Sequence, residues 1–213
     1  MLYLENIRIR CYILRTMNLQ QTLVLIKPDG VVRGHVGDII KRFERVGLKI
    51  TALKMILPRE DSADKHYALT EEWMQGVYGK AKAKYEAEGK DFPYPDYKAY
   101  GGEIKRGLVE FLKSGPIIAM VLEGEQAVPL VRKLVGTTEP ISSPPGTIRG
   151  DFSPDSYALS NEQNRPLRNL VHASGTVEEA KTEIDVWFTA EELHNYEHVL
   201  QKALYDPAAF LPV

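Results

Sequence analysis

The run Thr22-Leu23-Val24-Leu25-Ile26 has no polar position after Thr22 that could face water, and it stops at Lys27-Pro28-Asp29-Gly30. A strand with one wet face alternates apolar and polar residues, whereas a continuous apolar run has to be covered on both faces. The run therefore predicts a central strand inside a layered α/β domain, with Pro28 and Gly30 marking the turn that leaves it.

The rest of the chain supplies partners for that strand. Val36, Ile39, Ile40, Phe43 and Val46 recur at helical spacing and stop at Gly47, a natural C-terminal cap. Leu48, Ile50 and Ala52, then Met55 and Leu57, predict a second strand with a bulge near Leu53, closed by Pro58. A short helix over Asp61–Leu69 carries His66 and Tyr67. Residues 70–103 mix lysine, glutamate, tyrosine and proline and read as an insertion. Ile104, Leu108, Phe111 and Leu112 restore helical spacing, Pro116–Leu122 predicts a third strand, and Val128, Val131, Leu134 and Val135 predict a helix ending at Gly136. Thr137 to Arg168 is a proline-rich loop, and loops of that length in a compact domain are usually functional. Leu170 and Val171 form a short fourth strand that ends at His172. Thr176 with Glu179 is a capping-box pattern opening a helix whose inner face is Val177, Ala180, Ile184, Trp187 and Phe188. The order is a split pair of βαβ units. It predicts an α/β (α+β) fold, a ferredoxin-like βαββαβ sandwich with a four-stranded antiparallel sheet and helices mostly on one face.

The net charge of −2 gives no reason to expect nucleic acid or an anionic membrane as partner, so any anion site must come from clustered Lys and Arg. The alternation of Lys80, Lys82 and Lys84 with glycine and alanine reads as a solvated segment rather than a nucleic-acid patch. Cys11 is the single cysteine, which excludes an intrachain disulfide and a cysteine-based zinc site and suits a cytoplasmic setting. No run approaches the roughly 18–20 apolar residues of a membrane span. Glu5, Arg8, Arg10 and Arg15 interrupt residues 1–16, which read as an N-terminal extension to a single domain over 17–213 with insertions near 70–103 and 153–166.

Neither a Walker A loop nor a G-x-G-x-x-G turn occurs, so phosphates would have to be held by side chains. Lys27 follows the first strand, Arg132 falls at the edge of a helix's apolar face, and Arg149 lies in the tight run Gly146-Thr147-Ile148-Arg149-Gly150-Asp151. Plainer readings stand beside these: a solvated lysine before a turn for Lys27, and a surface ion pair with Asp151 for Arg149. His172, at the end of an apolar run, is by itself as compatible with core packing as with chemistry. His66 reads as helix packing, and His35, His194 and His198 as surface residues.

Leu25-Ile26-Lys27-Pro28-Asp29-Gly30-Val31, Arg42-Phe43-Glu44, His66-Tyr67, Ser114-Gly115-Pro116, Pro145 through Phe152, and Asn169-Leu170-Val171-His172-Ala173-Ser174 together resemble nucleoside diphosphate kinases. The similarity runs from about Thr22 to Asp206. It implies the ferredoxin-like sandwich and a phosphotransferase that moves the γ-phosphoryl of ATP or another nucleoside triphosphate to a nucleoside diphosphate by a ping-pong route. His172 would be the nucleophile, Glu183 its support and Ser174 the neighbour of Glu183. Lys27, Tyr67, Arg132, Thr138, Arg149 and Asn169 would hold phosphates or ribose. The resemblance also implies Mg²⁺ as cofactor, without an assigned protein ligand, and a homohexamer. Two departures stand out. Ile104 and Lys105 occupy the place of the family's base-stacking aromatic, which leaves Tyr97 or Tyr100 to supply stacking. Gly175 stands where the family often has an acid. The rival expectation is a nucleotide-binding regulatory or interaction protein with weak turnover.

Overall fold

A computed structural model describes residues 19–205. The extension expected over 1–16 and the start of a domain at Met17 lie outside the described residues. Four strands, β1 (Leu19–Ile26), β2 (Lys49–Ile56), β3 (Ile117–Glu125) and β4 (Val171–Ala173), form one sheet in the order β2-β3-β1-β4. Every neighbouring pair is antiparallel. This is the ferredoxin-like arrangement expected from the sequence.

Between the strands lie α1 (Pro28–Val32), α2 (Val36–Glu44), α3 (Glu60–His66), α4 (Glu71–Ala87), α5 (Tyr97–Lys113), α6 (Ala127–Val135), α7 (Ile148–Phe152) and α8 (Tyr157–Glu162); α9 (Val177–Trp187) and α10 (Val199–Tyr205) follow β4. β1 is buried on both faces as its composition requires. Val24 and Ile26 join Ile39 and Phe43 of α2 and Val131 of α6 on one face; Leu23 and Leu25 join Ala63 of α3, Leu112 of α5 and Trp187 of α9 on the other. Helices thus cover both faces, not mainly one. Helical spacing predicts these helices but does not say on which side of the sheet they pack.

Three local readings are corrected. The bulge in β2 falls between Ile50 and Ala52, not at Leu53. It shifts the phase of the strand, so Lys49 and Thr51 are buried while Leu53, Met55 and Leu57 are 48%, 58% and 67% exposed. Leu170 is not part of β4: it is buried with φ at 66°, and His172 sits mid-strand. The segment 70–103 holds most of a helical hairpin, α4 against the start of α5. Its own small core consists of the rings of Tyr78, Tyr85, Phe92, Tyr94 and Tyr100.

Candidate active site

The site is built where the ends of β1 and β4 meet. β4 pairs with β1 so that His172 lies opposite Leu25. Leu170, just ahead, holds a left-handed conformation that branched side chains rarely adopt. Two bonds fix it there: Lys27 N–H donates to Leu170 O at 2.8 Å, and Leu170 N–H donates to Asp29 Oδ2 at 3.0 Å. The Lys-Pro-Asp-Gly turn is therefore tied to the approach to His172, and strain held in place by its surroundings is typical of functional sites.

Lys27 Nζ, buried, donates to Asn169 Oδ1 at 2.7 Å, and Asn169 Nδ2 donates to Thr138 O at 2.9 Å. Arg149 reaches into the same place from α7. Its Nε donates to Asn169 O, its Nη1 to Gly136 O and Thr137 O, and its Nη2 to Val171 O, over 2.7–3.1 Å. A guanidinium has five N–H donors, and four are used on these carbonyls. Arg149 therefore straps the 136–138 loop to β4, and its charge, with one remaining donor, faces any anion. Asp151 does not pair with it. That carboxylate takes Arg42 and the Gly146 N–H instead.

Gly150 keeps this strap in register, because a Cβ there would lie 2.3 Å from Pro144 O and 2.7 Å from Ser143 O. Backbone atoms cannot step aside as a flexible side-chain end can. Gly150→Ala is expected to lose about 1–3 kcal/mol of stability, seen as a lowered midpoint in thermal unfolding; an unchanged midpoint would contradict the packing described.

His172 Nε2 is buried and lies 2.9 Å from Glu183 Oε1, off the alignment of a hydrogen bond. Ser174 Oγ donates to Glu183 Oε2 at 2.6 Å and accepts the Leu23 N–H at 3.2 Å. α9 brings Glu183 here by folding back along β1. Its start is fixed by Thr176 Oγ1, which accepts from Glu179 N–H at 3.1 Å, while Glu179 Oε2 accepts from Gly175 N–H at 2.8 Å. The reciprocal half of the capping box thus lands one residue early.

Tyr67 caps α3, and its hydroxyl is buried with no partner among the described residues; burial also holds it firmly protonated. A dry, unpaired hydroxyl suits a ligand oxygen. Arg132 is exposed on α6 without a hydrogen bond or ion pair among the described residues. Thr138 is exposed and contributes its carbonyl rather than its hydroxyl to the cluster. Ile104, half-buried on α5, takes no part in the hydrogen-bonded cluster. Tyr97 binds Glu71 through its hydroxyl, and Tyr100 packs in the hairpin's aromatic core. Three residues were read in the sequence without a role in the site. Asp29 shapes the Leu170 turn, His66 stands beside His172 with ring centroids 4.3 Å apart, and Trp187 donates to His66. The adjacency of His66 to Tyr67 was the signal available.

Electrostatics follow from burial among cations. Burial and the nearby Arg149 bring Lys27 down from 10.5 to about 8, against the pull of Asp29. Burial and Arg132 bring Arg149 down to about 10. His172 is held well below the usual imidazole range by burial first, then by Lys27, Arg149 and Arg132. Burial also raises the pKa of Glu183, which lies 2.9 Å from His172 Nε2. The result is a neutral imidazole surrounded by three cations, able to attract a polyanion and attack it. The ligand atoms of His66, His172 and Glu183 lie within 4.8 Å of one another, a cluster the sequence did not foresee. A tetrahedral zinc would need them about 3.4 Å apart.

The family model described as nucleoside diphosphate kinase matches residues 20–83 and 97–193. The chain belongs to the nucleoside diphosphate kinase family. The match pauses over 84–96, at the join of α4 and α5, and runs unbroken through 153–166. A nucleoside diphosphate kinase of Pyrobaculum aerophilum is 48% identical over 181 residues, covering 83% of this chain and 99% of the relative. One from Borreliella burgdorferi is 40% identical over 181 residues, covering 84% and 93%. Among solved structures, an NDP kinase of Pyrobaculum aerophilum superposes with a TM-score of 0.79 at 46% identity, covering 83% of this chain and all of that one. A Borrelia burgdorferi nucleoside-diphosphate kinase described as a transition-state mimic with bound vanadate and ADP gives 0.70 at 37% identity, covering 87% and 96%. Among the described residues no helix is long and apolar enough to cross a membrane.

Proposed function

We propose that the chain moves the γ-phosphoryl group of ATP or another nucleoside triphosphate to a nucleoside diphosphate through a phosphohistidine on His172. The observation that carries this reading is the neutral, largely buried His172, its Nε2 turned to Glu183 and its surroundings filled by Lys27, Arg132 and Arg149. With Nε2 buried against Glu183, Nδ1 is the nitrogen left to attack. The bond from Nδ1 to the γ-phosphorus forms as the bond to the β–γ bridging oxygen breaks, and the nucleoside diphosphate leaves. A second diphosphate then attacks the phosphohistidine, the bond from phosphorus to Nδ1 breaks, and the neutral imidazole returns with Nδ1 free and its proton on Nε2. Glu183, braced by Ser174, stabilises the positive ring formed between the two steps.

Lys27, Arg132 and Arg149 spread charge over the phosphoryl oxygens, as phosphoryl transfer demands. Tyr67, Thr138 and Asn169 complete the phosphate and ribose contacts, and the base packs towards Ile104. Mg²⁺ is the cofactor that fits best; it would enter with the substrate's phosphates and offset their charge beside Lys27, Arg132 and Arg149. Gly175 offers no carboxylate, but Glu179 stands in that space: its Oε2 would lie 2.6 Å from a Cβ at position 175. The exposed apolar edge of β2, with Leu53, Met55 and Leu57, supports assembly into a homo-oligomer, here read as a hexamer. A cytoplasmic setting accords with the single cysteine.

Steady-state kinetics with ATP and a nucleoside diphosphate varied together test the reading. Parallel double-reciprocal lines are expected; intersecting lines would mean direct transfer without a phosphohistidine.

A further inference from the structure

The phosphate chemistry leaves one neighbour of His172 without a role. His66 closes α3 with its side chain fully buried, and its ring meets that of His172 edgewise, with centroids 4.3 Å apart and planes at 83°. Trp187, one turn beyond Glu183 on α9, donates its indole N–H to His66 Nδ1 at 3.3 Å. An indole nitrogen can only donate, so Nδ1 must accept. A neutral imidazole that accepts at Nδ1 carries its proton on Nε2.

Burial keeps His66 uncharged, with His172 and Lys27 acting in the same direction and Glu183 opposing. From α5, which packs on α3, Lys105 pairs with Asp64 and Lys113 with Glu60, so those charges are balanced locally. Glu183 Oε1 is 2.9 Å from His172 Nε2 and 4.0 Å from His66 Nδ1, so two imidazoles face one carboxylate oxygen. A proton on His66 Nδ1 would point a donor at Glu183 and draw it away from His172. The Trp187 bond prevents that, because it leaves only a lone pair on that nitrogen.

Resting on the reading of His172 as phosphoryl carrier, we propose that His66 is a positioning residue: Trp187 fixes its tautomer, so that it braces His172 edgewise and leaves Glu183 to His172 alone. The arrangement separates packing from competition for the carboxylate, which gives the proposal a spectroscopic signature as well as a kinetic one.

Nitrogen-15 spectra of the full chain labelled at histidine are expected to show His66 as Nε2–H at neutral pH. An Nδ1–H signal for His66 in the unmodified protein would overturn the proposal whether or not any variant folds. Trp187→Phe keeps most of the ring volume but frees His66 Nδ1. His66 should then populate the Nδ1–H form, and phosphorylation of His172 by ATP should slow roughly tenfold, as a small misplacement of a reacting group does, with the KM for nucleoside diphosphate unchanged. Adding His66→Phe removes the competitor for Glu183 and should recover most of the rate. A Trp187→Phe variant as fast as the parent, or a double variant no faster than the single one, overturns the role given to His66. Failure of His172 to take phosphate in the unmodified protein overturns the carrier reading itself, and the tautomer measurement distinguishes the two.

Discussion

Replacing His172 with alanine is expected to abolish phosphoryl transfer, lowering kcat on the order of 10⁵-fold. The loss is large because the nucleophile itself goes, and no other described side chain holds a neutral nitrogen beside Lys27, Arg132 and Arg149 in its place. Nucleoside diphosphate affinity, measured by calorimetric titration, should change little, since the phosphate-holding cations are intact. A second readout follows from the lowered pKa of His172 and His66. Both bind protons more readily in the unfolded chain than in the folded one, so the protein loses stability as pH falls below about 6.5, the unfolded imidazole value. His172→Ala removes part of that acid sensitivity, which thermal unfolding across pH 5–7.5 would register. Retained turnover in this variant would contradict the account.

Lys27→Met should separate function from stability. The ammonium is buried, and its fall from 10.5 to about 8 corresponds to about 3 kcal/mol against the charged form. Loss of the bond to Asn169 Oδ1 takes back about 1–3 kcal/mol. The two nearly cancel, so the unfolding midpoint should hold or rise slightly, while kcat/KM falls roughly 10²–10³-fold because a fixed charge on the phosphates is gone. The folded pKa lies below the unfolded one, so the penalty is complete below about pH 8 and is relieved as pH climbs towards 10.5. In the parent, loss of the charge above about pH 8 should raise the KM for nucleotides, and Lys27→Met should not show that limb. A variant that loses stability sharply but keeps kcat/KM would make Lys27 a structural residue.

The sheet was legible because β1 is apolar throughout and because Gly47 and Gly136 mark where α2 and α6 stop, both with positive φ. Lys27, Asn169, His172 and Ser174 stand in ordered motifs and Glu183 follows from the resemblance; the fold pairs Lys27 with Asn169 and gathers His172 and Ser174 around Glu183. The helices of the second layer were legible but not the face they cover, and the hairpin was not, since α4 buries no residue and its partner α5 starts at Tyr97, capped by Asp96, inside a stretch that reads as inserted. The turn at Leu170 was invisible for a different reason: leucine has no intrinsic preference for positive φ, and the conformation is imposed by Lys27 and Asp29, some 140 positions away in sequence. Arg149 was found, but as an open anion clamp rather than a strap on four carbonyls. His66 was assigned to packing, which is true of its burial and silent about Trp187 and Glu183, contacts that only the folded chain creates.

The most direct measurement is incubation of the full chain with γ-labelled ATP, followed by isolation and a chase with unlabelled nucleoside diphosphate. The account predicts an acid-labile, base-stable label on His172 that passes quantitatively to the diphosphate. A chain that takes no label, or that keeps its label through the chase, would contradict it.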